Sequence, residues 1–202
     1  MSNSNGICVN RNWAIWITGL PGCGKSTIAA RLYERLRGEG VNVFLLGMDE
    51  RRKLYTPNPQ YTCDERQRAY NLFIEDALSL MESGRCVIMD GVGHERCWRN
   101  EARERIGYFA EVYLRCPVNM AMKREAGRQQ GLVMAGLYEK ALERQRTGKQ
   151  YANLGEVIGV DVKFQEDNNA ECIVDTGGKN SDEVFEAVIN CLQKWRRMNG
   201  IC

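Results

Sequence analysis

The sequence predicts an α/β fold in which a mostly parallel, five-stranded sheet lies between helices. Short apolar runs alternate with longer segments of helical apolar spacing along most of the 202 residues. Because parallel strands need a crossover connection, usually a helix, this alternation favours a parallel sheet covered on both faces. Hydrophobic residues make up 44% of the chain, which suits the packed core of a single domain over residues 1–202.

Five short runs are predicted as strands because apolar and β-branched residues dominate them. They cover residues 13–18, 41–46, 86–89, 109–114 and 170–174. Helical spacing predicts helices over residues 27–37, 64–82, 95–106 and 181–197, with Ser181 as the N-cap of the last. Residues 127–169 break the alternation, and we expect a helix followed by a flap there, within a lid over roughly residues 123–169.

Charge and composition exclude several classes of protein. The net charge is only +2, whereas a nucleic-acid-binding domain usually carries a basic excess, so we expect no nucleic-acid partner. No apolar run approaches the length of a membrane helix, and the N-terminus lacks the pattern of a secretion signal. The nine cysteines include no Cys-x-x-Cys pair. We therefore expect reduced thiols and a cytoplasmic protein that does not enter a membrane.

The most specific local pattern is a phosphate loop at residues 19–27, whose sequence GLPGCGKST fits G-x-x-x-x-G-K-[ST]. Glycines let successive backbone N–H groups face phosphate oxygens, Lys25 reaches the β- and γ-phosphates, and the Ser26 hydroxyl binds Mg²⁺. A strand precedes the loop and a helix follows it, as the motif requires, which predicts the three-layer fold of P-loop NTPases. The expected nucleotide-binding residues are Gly19, Gly22, Cys23, Gly24, Lys25, Ser26 and Thr27.

Cys23 occupies a variable position of the phosphate loop. Because a helix N-terminus lowers the pKa of a thiol, it is either a tolerated small residue or a redox-sensitive thiol.

Two aspartates follow predicted strands near the phosphate loop. Asp90 ends the third strand, where a carboxylate could hold Mg²⁺, although a turn aspartate before Gly91 is the simpler alternative. Asp49 ends the second strand and could act as a base or position metal; otherwise it is an N-cap.

Residues 90–93 also match the D-x-x-G switch of GTPases, without an N-K-x-D sequence downstream. A GTP-dependent switch and a nucleotide-binding module without turnover are therefore the alternatives to an enzyme.

Several further segments resemble adenylylsulfate (APS) kinases, and the resemblance covers roughly residues 13–195. Residues 47–52 match the second aspartate and the arginine of D-G-D-x-x-R, at Asp49 and Arg52. Residues 61–66 are similar to F-S-x-x-D-R, with Arg66 in its last position. Residues 136–141 match the lid motif K-G-L-Y-x-K-A after its first lysine, and residues 159–166 are similar to the segment that follows that motif.

This resemblance implies an enzyme with a helical lid that transfers the γ-phosphate of ATP, with Mg²⁺, to the 3′-hydroxyl of APS. Gly47, Ala69 and residues 89–92 depart from the family pattern, which leaves another nucleotide-like or sugar-like hydroxyl as the alternative acceptor. The oligomeric state also stays open, with a homodimer as one option. The residues implied are Lys25, Asp49 and Asp90 for catalysis; Ser26, Asp49 and Asp90 for metal; Arg124 for ATP; and Arg52, Arg66, Leu137 and Phe164 for the acceptor, with Phe164 stacked on an adenine ring.

Overall fold

Five parallel strands form the centre of the protein, in the order β2-β3-β1-β4-β5. The structure is a computed structural model that describes residues 11–57, 59, 62–127, 136–152 and 154–201. Because neighbouring strands are parallel, their carboxyl ends share one edge of the sheet, which is where open α/β sheets bind ligands. The strands are β1 (Ala14–Thr18), β2 (Val43–Gly47), β3 (Cys86–Asp90), β4 (Phe109–Arg115) and β5 (Cys172–Asp175).

Helices cover both faces of the sheet, so the predicted α/β class is confirmed. Side chains alternate along β1: Ile15 and Ile17 pack in one apolar cluster with residues of α1 and α7, whereas Ala14 and Trp16 pack in another with residues of α3 and α4. The helices are α1 (Lys25–Gly38), α2 (Met48–Tyr55), α3 (Cys63–Glu82), α4 (Arg96–Arg105), α5 (Val118–Ala126), α6 (Leu137–Thr147) and α7 (Ser181–Met198).

The lid has a small apolar cluster of its own. Leu137, Tyr138 and Ala141 of α6 pack against Val157 of the following loop. The predicted helix and flap are thus represented by α6 and the loop after it, and residues 128–135 lie outside the described residues.

Three sequence expectations are wrong in detail. Residues after β2 form helix α2, so Asp49 lies in the first turn of a helix and does not end a strand. The N-cap of α7 is Asn180, not Ser181: the Asn180 side chain accepts the backbone N–H of Glu183, whose carboxylate accepts the N–H of Asn180. This reciprocal pairing is a capping box, which satisfies two donors at the helix start.

The third wrong expectation concerns thiols. Reduced thiols were expected, but Cys172 of β5 and Cys191 of α7 form a disulfide. Among the described cysteines, the free ones are Cys23, Cys63, Cys86, Cys97 and Cys116.

A search of the helices in the described part of the chain found none with the length and apolar character needed to span a membrane.

Candidate active site

The phosphate loop connects β1 to α1 at the carboxyl edge of the sheet. Two of its glycines are required because the backbone has positive φ there and because a side chain would clash with neighbouring backbone. Gly19 and Gly22 have φ values of 134° and 81°, which L side chains rarely adopt. A Cβ atom at Gly22 would lie 2.4 Å from the carbonyl oxygen of Ala121 in α5, and one at Gly19 would lie 2.6 Å from that of Leu114. The loop can therefore lie flat against β4 and α5 only with glycine at both positions.

The start of helix α1 faces the space that the loop encloses. Gly24 precedes the helix with φ 103°, and its carbonyl accepts the N–H of Ile28. In an α-helix the first N–H groups have no partner within the helix, so those of Lys25, Ser26 and Thr27 are available to an anion. The positive end of the helix dipole adds to this attraction.

Lys25 is folded onto the loop. Its ammonium group donates to the carbonyl oxygen of Leu20 at 2.9 Å, and the residue is 8% exposed. A triphosphate in the loop would compete with this carbonyl for the same ammonium group, since charge-assisted bonds to phosphate are stronger than bonds to a neutral carbonyl.

Cys23 faces the core. It is 2% exposed, and its backbone N–H donates to the carbonyl of Leu20 at 3.1 Å. Burial raises the pKa of its thiol, and this outweighs the lowering effect of the Lys25 ammonium. The thiol is therefore protonated at neutral pH, which favours a small packing residue over a redox-sensitive one.

Arg124 links the phosphate loop to the segment after β5. Its guanidinium donates to the carbonyl oxygen of Thr176 at 3.0 Å, to that of Lys179 at 3.3 Å and to that of Cys23 at 3.5 Å. A cavity of about 300 Å³ lies beside these contacts. It is lined by Cys23, Gly24, Thr27, Ile28, Arg124, Lys179, Asn180, Ser181 and Val184.

Asp90 and Asp49 come from adjacent elements at the same edge. Asp90 ends β3 and is in register with Ile17 of β1 and Gly47 of β2. Its charge contributes to the raised pKa of Cys23, so its carboxylate lies within electrostatic reach of the loop. Asp49 is exposed in the first turn of α2 and faces a second cavity.

No group of three or more metal-ligating side chains occurs among the described residues. Mg²⁺ usually takes only one or two carboxylates, with waters and phosphate oxygens as its other ligands. The Ser26 hydroxyl and the Asp90 carboxylate are oxygen donors of the kind that such a site uses.

The second cavity, about 320 Å³ in volume, brings together most of the residues predicted for the acceptor. Asp49, Arg52, Arg66 and Leu137 all line it. Pro21 of the phosphate loop lines it too, so the cavity adjoins the nucleotide site. The other lining residues are Met48, Lys53, Thr56, Pro57, Pro59, Tyr70, Val92, His94, Glu156, Val157 and Ile158.

Phe164 lies outside this lining. Its ring stacks on Tyr113, with centroids 5.1 Å apart and planes 9° apart, and the Arg99 guanidinium lies 5.1 Å from its centroid. Leu137, Glu156, Val157 and Ile158 are the lid residues that line the acceptor cavity. Tyr61 of the matching F-S-x-x-D-R segment lies outside the described residues.

Two cavity residues were not among the predicted site residues. Tyr70 has the spacing of a core residue in α3. His94 follows Asp90 in a segment that allowed either a place near the acceptor or an ordinary turn, and the turn was preferred. Both are buried in the cavity wall. One signal in the sequence indicated a role in the site: each residue carries a polar group, a hydroxyl or an imidazole, on a ring that could otherwise pack in the core.

A buried ion pair connects the phosphate loop to the acceptor side. Arg99 and Glu111 are both fully buried, with Arg99 Nε 2.9 Å from Glu111 Oε1. The same oxygen accepts the hydroxyl of Thr18, the residue before the loop, at 2.7 Å. Arg99 also donates to the carbonyl oxygens of Gly93 and Gln165. The pair thereby holds the segment around His94 in a fixed position relative to β1.

The lid contacts the phosphate loop directly. The Tyr138 hydroxyl donates to the carbonyl oxygen of Pro21 at 3.0 Å. Glu125 of α5 accepts the backbone N–H groups of Gly136 and Leu137 at the start of α6, at 2.7 and 3.3 Å. The lid motif is therefore anchored to both the loop and α5.

A phosphate loop that adjoins an arginine-lined cavity, at the carboxyl edge of a parallel sheet, defines a P-loop kinase of small molecules. The sequence model of the adenylylsulphate kinase family matches residues 11–175, and the chain belongs to this family. Membership places it among kinases and not among GTP-dependent switches.

Individual proteins are similar to this chain over most of its length. A probable adenylyl-sulfate kinase of Archaeoglobus fulgidus is 39% identical over 166 residues, which are 82% of this chain and 96% of that protein. The cytidine diphosphoramidate kinase of Campylobacter jejuni is 27% identical over 187 residues, 91% of this chain and 98% of that protein. The structure of the Mycobacterium tuberculosis APS kinase CysC, in complex with AMPPNP and APS, matches with a TM-score of 0.73 at 22% identity, over 92% of this chain and 99% of that one. At this identity the structural likeness supports the fold.

Proposed function

We propose that this protein is an adenylylsulfate kinase that transfers the γ-phosphate of ATP to the 3′-hydroxyl of APS. One observation carries the proposal: Pro21 belongs to the phosphate loop and also lines the cavity that holds Arg52 and Arg66. A triphosphate on the loop and an anionic acceptor in the cavity would therefore meet at one edge of the sheet.

ATP would bind along the loop and the adjoining cavity. The N–H groups at the start of α1 and the Lys25 ammonium take the triphosphate, which releases Lys25 from the Leu20 carbonyl. The adenine end then lies in the cavity between Arg124 and Asn180.

The Ser26 hydroxyl and the Asp90 carboxylate would hold Mg²⁺. A Mg²⁺ ion held by these residues would neutralise negative charge on the phosphates.

The acceptor cavity supplies charge and a base. Arg52 and Arg66 bind the anionic sulfo-phosphate group of the acceptor. Asp49, from the first turn of α2, accepts the proton of the attacking hydroxyl. Catalysis then rests on aligning the hydroxyl with the γ-phosphate, because phosphoryl transfer needs positioning and charge neutralisation more than covalent chemistry.

We also propose that residues 1–202 form one kinase domain, with the lid over roughly residues 123–169, and that it acts in the cytoplasm, where ATP is available. The contact between Tyr138 and Pro21 supports a lid that belongs to the same unit as the loop.

An acceptor panel tests the proposed activity. The purified protein is incubated with Mg-ATP and one acceptor at a time: APS, a cytidine diphosphate compound or gluconate. ADP release is measured in each reaction. We expect APS to give the highest kcat/KM, and ATP to be preferred over GTP. ADP release with another acceptor but none with APS would overturn the proposal.

A further inference from the structure

Two buried polar side chains form part of the acceptor cavity but belong neither to the phosphate loop nor to the arginine pair. Tyr70 is 2% exposed and His94 is 4% exposed. Both rings rest on Trp98: the Tyr70 ring stacks on it with centroids 4.1 Å apart, and the His94 ring meets it edge-on at 4.7 Å. A shared support fixes the two polar groups relative to each other.

The Tyr70 hydroxyl is held in one orientation. Its oxygen accepts the backbone N–H of Gly93 at 2.9 Å, which leaves its proton for a second hydrogen bond. Burial raises the pKa of Tyr70, so the hydroxyl stays protonated at neutral pH and keeps its capacity to donate a hydrogen bond.

The His94 imidazole is uncharged. Burial, with the positive charges of Arg66, Arg99 and Arg52, lowers its pKa to about 3. Glu95 Oε1 lies 3.6 Å from its Nε2 atom. A neutral imidazole offers one N–H donor and one nitrogen acceptor, and it suits an uncharged polar group better than an anion.

The cavity wall is therefore divided by charge. Arg52 and Arg66 present cations from α2 and α3, whereas Tyr70 and His94 present neutral donors and acceptors. A buried polar group is costly when its hydrogen bonds are unmade, so such a wall selects a ligand that supplies both an anion and an uncharged polar edge.

We propose that Tyr70 and His94 are specificity-determining residues, which hydrogen-bond the uncharged polar edge of the acceptor's nucleoside while the arginines hold its anion. This inference rests on the proposed function and defines the acceptor class: a nucleotide anion recognised at its ribose hydroxyls or its base.

Kinetics of two variants with three acceptors test the inference. Tyr70→Phe removes only the hydroxyl, and His94→Gln replaces the imidazole with an amide of different reach. Wild type and variants are compared on APS, on its 2′-deoxy analogue and on its hypoxanthine analogue, with binding affinity replacing KM where an analogue is not turned over. We expect each variant to raise the KM for APS about three- to tenfold, the range of one hydrogen bond, and to leave the KM for ATP unchanged.

The analogues show which part of the nucleoside is bound. A variant that has lost a contact to the ribose no longer discriminates against the 2′-deoxy analogue, and one that has lost a contact to the base no longer discriminates against hypoxanthine. Tyr33→Phe, which removes a hydroxyl from α1 on the opposite face of the sheet, is the matched control and should behave as wild type.

Unchanged KM values and unchanged discrimination in both variants would overturn the inference. Thermal denaturation checks that both variants are folded, and each substitution is assayed separately. If the wild type does not phosphorylate APS, the proposed function fails. The acceptor that the wild type does phosphorylate then replaces APS in the same comparison. The inference is then tested by the ratio of each variant's KM for that acceptor to the wild-type KM.

Discussion

The Arg66 guanidinium is bound to Glu156 of the lid. Arg66 donates to the Glu156 carbonyl oxygen at 2.5 Å, and its Nη1 atom lies 3.4 Å from the Glu156 carboxylate. Both residues line the acceptor cavity, so the lid places a carboxylate against an arginine that we assign to the acceptor's anion. The acceptor must displace or share this contact to bind Arg66.

We therefore predict that Glu156→Gln strengthens acceptor binding. The substitution removes a negative charge that repels the acceptor and competes for Arg66. Because the Glu156 side chain is half-exposed, the effect is modest, about a two- to fivefold fall in the KM for APS with an unchanged KM for ATP. Glu143→Gln, which removes a lid carboxylate outside the cavity lining, should change neither constant. A rise in the KM for APS would mean that Glu156 assists binding.

Gly22→Ala should disrupt nucleotide binding. Its Cβ would lie 2.4 Å from the Ala121 carbonyl oxygen, and φ at this position is 81°, so the loop must shift. We expect a loss of about 1–3 kcal/mol in the free energy of unfolding and at least a tenfold weaker affinity for Mg-ATP by calorimetry. Gly107→Ala, where a Cβ meets nothing within 4 Å, is the control. An affinity of Gly22→Ala within twofold of wild type would refute this account of the loop.

Breaking the Arg99–Glu111 pair should be strongly destabilising. Glu111→Leu leaves a fully buried guanidinium without its carboxylate, which costs about 3–5 kcal/mol in the free energy of unfolding. Adding Arg99→Met should recover at least about 1 kcal/mol of that loss, because the unpaired charge is then gone. Arg35→Met, which breaks an exposed pair with Glu39, should change the free energy of unfolding far less when the variants are compared by urea titration. A Glu111→Leu variant as stable as Arg35→Met would contradict the prediction.

His94 should make the folded state sensitive to mild acid. Its pKa is about 3 in the folded protein and 6.5 in the unfolded chain, so between these values the unfolded state binds one more proton. Stability is therefore lost as pH falls below 6.5, by about 2 kcal/mol at pH 5. His94→Gln should lose correspondingly less stability between pH 7.5 and pH 5 in urea titrations. Equal losses in the two proteins would show that His94 is protonated in the folded state.

The sequence predicted the parts of the fold that rest on local pattern. β1, β3 and β4 are buried on both faces and are bounded by glycine, proline or charge, so their runs of mostly apolar residues located them in the sequence. The phosphate loop could be predicted because the spacing of its glycines follows from the backbone geometry of the loop. Helix α2 was missed because its sequence, MDERRKLY, has few apolar residues and buries only Met48.

Side-chain direction limited the prediction of the site. Tyr70 has the spacing of a core residue in α3, and nothing in that spacing shows that it lines the cavity. Phe164 was assigned to the acceptor by resemblance, but its ring is held between Tyr113 and the Arg99 guanidinium. The Cys172–Cys191 pairing joins a strand to a helix 19 residues away, a proximity that only the tertiary packing creates.

The position of the transferred phosphate tests the central claim most directly. Wild-type protein and Lys25→Ala are incubated with Mg-ATP and APS, and the product is located by ³¹P NMR and mass spectrometry. We predict a new phosphomonoester on the 3′-hydroxyl of APS with one ADP formed per product molecule, and no product with Lys25→Ala. Intact APS and ATP after incubation with the folded wild type, or a phosphate at any other position of APS, would contradict the account.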